Sequence, residues 1–598
     1  MSISNNSEDN LKSSSKFQIT TQINTRKWET IMQLVVLFLG LMLINILAQD
    51  YFFRLDLTAE KRYTITESSK NILKNLEEPV YIEIYLEGEL NSSFKRLQKS
   101  VKETLEEFSM YAGKNIQFTF INPEQVSSNP EEQNRYYKQL SDRGIQPTTV
   151  FETVQGKKVQ KLIFPSAIIS YKNKEKPVLL LKGNRTASPQ EQLNQSIENI
   201  EYELISAIQK LSKKQKSNIA FIEGHDELSN DRLISLTQAL SENYIVERLN
   251  LNKNLTNSFK SDTQNSNKIQ NPIQNLLQYD AIVIAKPTLS YTDNDRYQLD
   301  QYLMNGGKLL FFIDQVQMNL DSIAQGGTYA FAYNLGLNEM IFRYGVRVNQ
   351  DLLQDTQSGQ ILVNVGQMGN KANVQPIPFP YYATTAGFST HPITKNMDAL
   401  MFKFVSTLDS VKADGIIQTP LVFSSQYSRV KKVPTLISLD ELKLDLNPKL
   451  YQTSNLPVAY LLEGEFSSAF KGRFPPSGFS EKEFIQKGKD SKVLVVGDGD
   501  LLSNDFDRRT RQPLPIGYDE ISKNTYSNQE FFLNSLAYML DEGGIITSRT
   551  KEFEIRPLDT FKIQEEKSYW QFLNLVVPNV IILVFGLAWY FWRKKKYS

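Results

Sequence analysis

One of the only two histidines in the 598 residues, His225, sits in NIAFIEGHDELSND, where an apolar run breaks at a glycine into a knot of charge. Glu223, His225, Asp226 and Glu227 are residue types that hold a divalent metal or move a proton. A second knot, DGDLLSND, places Asp498, Asp500, Asn504 and Asp505 after another apolar run. Ligands of open parallel sheets sit at the carboxyl ends of strands, so two such knots on neighbouring strands would form one polar rim. His225 with Glu223 and Asp500 would then be the metal site of a hydrolase.

A plainer reading is the stronger one. Loops after interior strands are polar because their backbone must be solvated or capped. Ser229 and Asp231 fit the capping role for a helix that begins near 232, and His391 beside Pro392 reads as a turn residue. A calcium loop fails on spacing: counted from Asp498, the third ligand position is Leu502 and the twelfth Arg509. The eight residues therefore read as a candidate ligand or partner surface, with no catalytic residue, metal or other cofactor assigned.

Other chemistries drop out on composition. There is no cysteine, which removes disulfides, thiolate nucleophiles and cysteine-based metal sites. No G-x-x-x-x-G-K-[ST] and no G-x-S-x-G occurs, so any ATP is bound by another subunit and a hydrolase elbow has no support. Gly306-Gly307-Lys308 reads as a turn into a strand. A formal net charge of +1 supplies no field to gather nucleic acid.

The elements that must position the knots follow from periodicity. VYIEIYL, a helix with Leu97, Val101, Leu105 and Phe108 on one stripe, and IQFTFI read as strand, helix, strand. A polar helix, the strand TTVFETV after Pro147, a hairpin LIFPSAIISYKN/KPVLLLKG and a long helix striped by Leu193, Ile197, Ile200, Leu204, Ile208 and Leu211 complete a first unit. That order resembles a thioredoxin-like fold, without the cysteines of its redox members. From 214 a second α/β unit alternates NIAFIEG, SNDRLISLTQALSEN, IVERLNL, YDAIVIAKP, TDNDRYQLDQYLMNGG and KLLFFID, which implies a largely parallel sheet. Residues 252–276 read as a polar low-complexity loop, 319–490 as a β-rich insertion, and 491–545 as the completion of the unit.

Two charge-free runs bracket this middle: Ile31 to Gln49, and Phe572 to Trp592 with Pro578 inside. Each is long enough to cross a hydrocarbon core of about 30 Å as a helix. Arg26 and Lys27 precede the first and Arg593, Lys594, Lys595 and Lys596 follow the second, which puts both termini in the cytoplasm and everything between on the far side. The first run reads as an uncleaved anchor, because a leader of more than twenty polar residues does not suit a signal peptide. The expected order is a cytoplasmic tail (1–28), a transmembrane helix (29–49), the thioredoxin-like unit (50–213), the α/β unit with its insertion (214–318, 319–490, 491–545), a linker (546–570), a second transmembrane helix (571–592) and a basic tail (593–598).

The chain also resembles a known family. FRLDLTAEKRYTITESSKNILKNLEEPVYIEIY, Phe53 to Tyr85, with FIEGHDEL, YDAIVIAKP, GGKLLFFIDQ, VVGDGDLLSND and the closing span, is similar to the GldG family of auxiliary proteins in gliding-motility-associated ABC transport systems. The likeness runs from about residue 50 onwards, outside 252–276. It implies a GldF-like permease and a GldA-like ATPase as partners in the bacterial inner membrane, and a class I glutamine amidotransferase-like fold for the second unit. Catalytic members of that fold use a cysteine nucleophile, so the resemblance implies a non-catalytic unit here. The expected function is a non-enzymatic, periplasm-facing accessory subunit; a membrane-anchored metal-dependent hydrolase is the alternative.

Overall fold

The computed structural model describes Trp28, residues 31–43 and 45, and residues 64–597 apart from 128, 155–156, 183–187, 214, 254–271, 319–322, 324–326, 370, 441–447, 542 and 551–559. The chain forms two units, Met1–Thr64 and Ile65–Ser598. In the first, Ile31–Leu43 is an exposed apolar helix. The rest of the expected N-terminal span, apart from residue 45, and the flanking Arg26 and Lys27 lie outside the described residues.

Within the second unit, β1 (Val80–Ile84) pairs in parallel with β2 (Ile116–Phe120) and antiparallel with β5 (Ser166–Tyr171), which turns back into β6 (Lys174–Leu179). The sheet order is β2-β1-β5-β6. Helix α1 (Ser92–Ala112) makes the parallel crossover, capped by the Asn91 side chain accepting from Phe94 N at 3.0 Å. Its stripe Leu97, Val101, Leu105 and Phe108 is fully buried against the sheet and against Ile200, Leu204 and Ile208 of α2 (Pro189–Ser212). The 3.6-residue spacing read in the sequence is thus the packing face of both helices.

One strand departs from the sequence reading. LIFPSAIISYKN is broken at Phe164-Pro165: Leu162 and Ile163 end β4 (Lys157–Ile163), which pairs with β3 (Thr148–Val154) in a ladder of its own, and β5 starts afresh at Ser166. Pro165 has no N–H to continue a ladder, so the chain changes sheets there. The strand after Pro147 consequently lies outside the β1–β5 sheet.

The larger sheet carries the site. Strands β7 (Ser217–Glu223), β8 (Tyr244–Asn250), β9 (Ala281–Ala285) and β10 (Lys308–Phe312) are parallel to one another and to the late strand Lys487–Val496. Three strands from the stretch read as β-rich join the same sheet antiparallel. They are β11 (Gly387–Phe388), β12 (Ile416–Phe423) and β13 (Pro457–Ser467); Lys487–Val496 is then β14. The order is β11-β12-β13-β14-β10-β9-β7-β8. Elsewhere in that stretch lie smaller antiparallel ladders, among them the long hairpin of Ser358–Met368 and Lys371–Thr385.

Alternate residues of the parallel strands enter different cores, as period two demands. Ile219, Phe221, Val283 and Phe312 face α3 (Asn230–Ser241) and α5 (Asn528–Leu540), whereas Ala220, Ile222, Ile284 and Phe311 face α4 (Asp293–Met304). Burial on both faces explains why these strands read as unbroken apolar runs. After α5 the chain returns to the smaller sheet: Ile545 and Ile546 join its core, and Arg549, 1 % exposed, donates from Nη2 to the Lys395 carbonyl at 2.8 Å with its guanidinium over the Tyr202 ring.

Among the described residues, one helix is long and apolar enough to cross a membrane. It lies in α6 (Thr560–Tyr597), where Glu565–Lys596 has a mean hydropathy of 2.1 and none of its apolar window is buried. It has the length and composition of a membrane anchor, and it contains the expected span from Phe572 to Trp592. The expected loop at 252–276 lies outside the described residues over 254–271, and Pro272–Leu276 forms a single helical stretch.

Candidate functional site

Both charge knots lie at the carboxyl ends of parallel strands. β7 is followed in sequence by β8 on one side and flanked by β9 on the other, so the strand order reverses between β7 and β9. That reversal is where open α/β sheets place their ligands. Here the crevice is filled from within: the His225 and Tyr291 rings stack with centroids 3.7 Å apart and planes 11° apart, and the two residues are 3 % and 2 % exposed.

His225 is held at both ring nitrogens. Nδ1 lies 3.2 Å from Glu227 Oε1, and Nε2 lies 3.2 Å from Asp295 Oδ2. Tyr291 donates to the same Glu227 oxygen at 2.7 Å, and the His225 backbone N–H donates to Glu227 Oε2 at 2.8 Å. Asp295 Oδ2 also accepts from the N–H and hydroxyl of Thr292, closing the capping box that starts α4. Burial alone would push the imidazole down; the bonds to Asp295 and Glu227 outweigh it and raise it to about 9. Burial likewise opposes ionisation of Glu227 and Asp295, yet His225 holds both below the usual carboxylate range. With two carboxylates facing it, the ring is an imidazolium that donates twice, and no lone pair is left for a metal.

The remaining members of this knot face outward. Asp226, in a left-handed backbone conformation with φ 56°, accepts from the Thr288 hydroxyl at 2.6 Å, and Glu223 lies 3.7 Å from Arg248 Nε. The trio Glu223, His225 and Asp500 is not brought together. Among the described residues, the carboxylates whose oxygens converge within 4.8 Å are Asp314, Asp498 and Asp500.

That second cluster has a cation built in. Lys286, directly after β9, places Nζ 3.1 Å from Asp314 Oδ2 and 2.5 Å from Asp500 Oδ2. Asp314 Oδ1 accepts from Gly499 N at 2.6 Å, and Asp498 accepts from Asp500 N and Lys403 N, both at 2.7 Å. A Cβ on Gly499 would stand 2.4 Å from Lys286 Cβ, so only glycine lets the loop close over the lysine. Burial pushes Asp314 up to about 6 despite Lys286, and burial with the neighbouring Asp314 and Asp500 holds Asp498 well above the usual carboxylate range. Burial works against the Lys286 ammonium, but Asp314 and Asp500 overcompensate and keep it charged. The donor set could hold a divalent metal by chemistry, but the Lys286 ammonium already supplies its positive charge.

Asn504 and Asp505 act as a clasp on α3. Asn504 accepts from Ser235 N at 3.2 Å and donates to the Asp231 carbonyl at 3.1 Å, while Asp505 lies 3.3 Å from Arg232 Nη1 and 2.8 Å from Lys403 Nζ. Ser229 occupies the N-cap position of α3 but makes no capping bond through its side chain, and Asp231 stands in the first turn. His391 lies in a turn, its N–H donating to the Ser389 carbonyl at 2.8 Å. Lys286, Asp314, Asp295, Tyr291 and Lys403 were not among the candidates read from the sequence. Lys286 and Asp314 do carry a signal, because each follows an interior strand almost at once, as Asp498 does.

Removing the built-in cation has a defined outcome. Lys286→Met leaves the Asp314 and Asp500 carboxylates facing each other beside the Asp498 carboxyl with no cation between them, and the folded state is expected to lose about 1–3 kcal/mol at pH 7.5. The loss stays below the cost of breaking a fully buried pair because Lys286 and Asp500 keep a quarter of their side-chain surface in water. It should shrink as the pH falls through about 6 and Asp314 takes up its proton, which thermal melts at pH 7.5 and 5 would report. An equal loss at both values would contradict the assignment.

The mixed α/β sheet that carries these strand-end clusters lies within a segment that matches a known family. The chain is a member of the family described as ABC-type uncharacterized transport system, which it matches over residues 216–535, and it is an auxiliary component of such a system. Residues 59–170 match a separate domain of unknown function. An uncharacterized protein of Borreliella burgdorferi is 20 % identical over 549 residues, covering 91 % of this chain and 94 % of the relative. Among solved structures, the mmIFT52 N-terminal domain aligns over all of its length and 57 % of this chain, with 13 % identity and a TM-score of 0.29.

Proposed function

We propose that this auxiliary component is a non-enzymatic subunit anchored in the bacterial inner membrane by two spans, with its α/β units in the periplasm. Its partners are a GldF-like permease and a GldA-like ATPase, and its setting is gliding motility. The observation that carries the non-enzymatic reading is the saturation of the strand-end charges. His225 is spent on Glu227 and Asp295, and Lys286 on Asp314 and Asp500. Asp498, whose carboxyl burial holds well above the usual carboxylate range, is wholly buried and out of a substrate's reach. A hydrolase built on His225 would need a nitrogen that these carboxylates already occupy.

The test is affinity purification of the tagged full chain from membranes in mild detergent, followed by mass spectrometry. Recovery of an ABC permease and its ATPase in comparable amounts is expected. A chain that purifies alone from cross-linked and uncross-linked membranes alike would remove the transporter partnership, and partners other than a gliding-motility pair would remove that assignment.

A further inference from the structure

A broad groove in the second unit lies away from the strand ends, between α2 with β6 on one side and the α3–β8 turn with α5 on the other. Two contiguous cavities of about 480 and 680 Å³ share Tyr202, Ser206, Lys210, Asn243 and Tyr244. The wider one is ringed by five lysines: Lys174, Lys176, Lys210, Lys213 and Lys216. Its carboxylates are fewer and each is engaged, one of them by a lysine of the same ring. Glu242 lies 3.4 Å from Lys176, Glu175 lies 3.0 Å from Arg143, and Asp541 accepts from the backbone of Gly543 and Ile546.

Most of the lysines are also committed. Lys213 donates to Ser217 and Lys216 to the Ser241 carbonyl. Lys210 differs. It stands where the two cavities meet, and among the described residues its Nζ has neither a hydrogen bond nor an ion pair. The nearby Glu203 is bound by Lys182 at 2.8 Å. Lys210 is exposed to the groove; desolvation and then repulsion from Lys176 push its ammonium down to about 8, against the pull of Glu203 and Glu242. Tyr244, whose hydroxyl burial keeps neutral, is among the residues that line both cavities.

We infer that this groove is a binding site for an anionic oxygen group, a carboxylate or a phosphate, with Lys210 as its counter-charge and Tyr244 as a neutral donor. An ammonium without a direct hydrogen-bond or ion-pair partner in a lysine-ringed groove is the complement of such a group: a bound anion restores the charged form that desolvation and the neighbouring Lys176 disfavour. The two walls come from different sheets, so a ligand seated on Lys210 would touch both. The site rests on the groove and its charge alone and stands whether or not a permease accompanies the protein.

The test is competitive amine labelling of the full-length protein in nanodiscs, read residue by residue by mass spectrometry from pH 6 to 10. Chloride of matched ionic strength is the reference. The probes are inorganic phosphate, N-acetyl-alanyl-alanine with its free carboxylate, and the same dipeptide as its amide. Binding is expected to raise the Lys210 titration by about one unit, cutting its free-amine fraction about tenfold below the midpoint. Surface lysines such as Lys74 should not respond. Protection by phosphate alone assigns a phosphate site, and protection by the free dipeptide alone assigns a carboxylate site. Protection by both assigns a general anion site. No protection by either, or equal protection by the amide, overturns the inference. Lys210→Met supplies a second readout: a rise in Tm produced by the effective probe in the parent protein should vanish in the variant, and its persistence would place the anion elsewhere.

Discussion

His225→Ala is expected to destabilise the α/β unit by about 3–5 kcal/mol at pH 6.5, the usual cost of stripping one partner from a buried ion pair. The side chains of Glu227 and Asp295 are 1 % and 0 % exposed, so neither carboxylate can recover the lost charge from water. Asp295 is also the residue that closes the cap of α4, and the start of that helix should loosen with it. The pH dependence gives a sharper test. A histidine raised to about 9 when folded, against about 6.5 unfolded, contributes stability that is complete below pH 6.5 and is lost as the pH rises through 9. That difference corresponds to on the order of 3 kcal/mol. Glu227 and Asp295 are lowered in the folded state, so their contribution is present above the ordinary carboxylate range and is lost on acidification. The gap in Tm between parent and variant should therefore be widest near pH 6 and narrow towards pH 9. A gap unchanged over that range would mean that His225 is neutral and the two-carboxylate account is wrong.

Gly497→Ala should be comparably severe for a steric reason. An alanine Cβ would lie 2.1 Å from the Ser406 carbonyl oxygen, a backbone atom that cannot rotate away. Gly497 donates to the Val458 carbonyl at 3.0 Å and accepts from Ser406 N at 2.9 Å, so moving either strand breaks the join between β13, β14 and the 405–407 segment. It also moves Asp498, whose carboxylate is fixed by Lys403 N. Overpacking of this kind costs about 1–3 kcal/mol in a core where side chains can shift, and rigid backbone puts this site at or above the upper end. Gly543→Ala, where the nearest atom is 3.6 Å away, serves as the neutral control. Equal melting temperatures for the two variants would refute the close approach.

The contrast between these two positions shows what was legible in the sequence. The interior parallel strands β7, β9 and β10 could be read because burial on both faces makes them apolar runs, and the helices because their stripes keep a 3.6-residue period. The antiparallel additions β12 and β13 could not be placed, since nothing local says which edge a strand joins. Glu223, His225, Asp226 and Glu227 could be recognised as one polar knot, and Asp498 to Asp505 as another. What His225 does with its charge depends on Asp295, seventy residues on, which looks in the sequence like an ordinary helix cap. Lys286 and Asp314 stand in readable positions, but only the pairing of β9, β10 and β14 shows that one lysine answers three acids. Gly497 gives no sign of the carbonyl 91 residues back in the chain that makes it irreplaceable.

The return of Ile545 and Ile546 into the core of the small β1–β6 sheet bears on how the chain is made. That sheet is complete by residue 179 and its helices by residue 212, yet its hydrophobic interior is not closed until more than three hundred further residues have emerged. The larger sheet waits in the same way, because β14 must insert between β10 and β13. Neither half can therefore finish as it leaves the ribosome, and contacts this distant in sequence make for slow, chaperone-exposed folding. A polypeptide cut short before residue 545 should emerge with the small sheet's core still open, and one cut before residue 487 with both halves open; the turn at Ile545 and Ile546 acts as the stitch that closes the first of them.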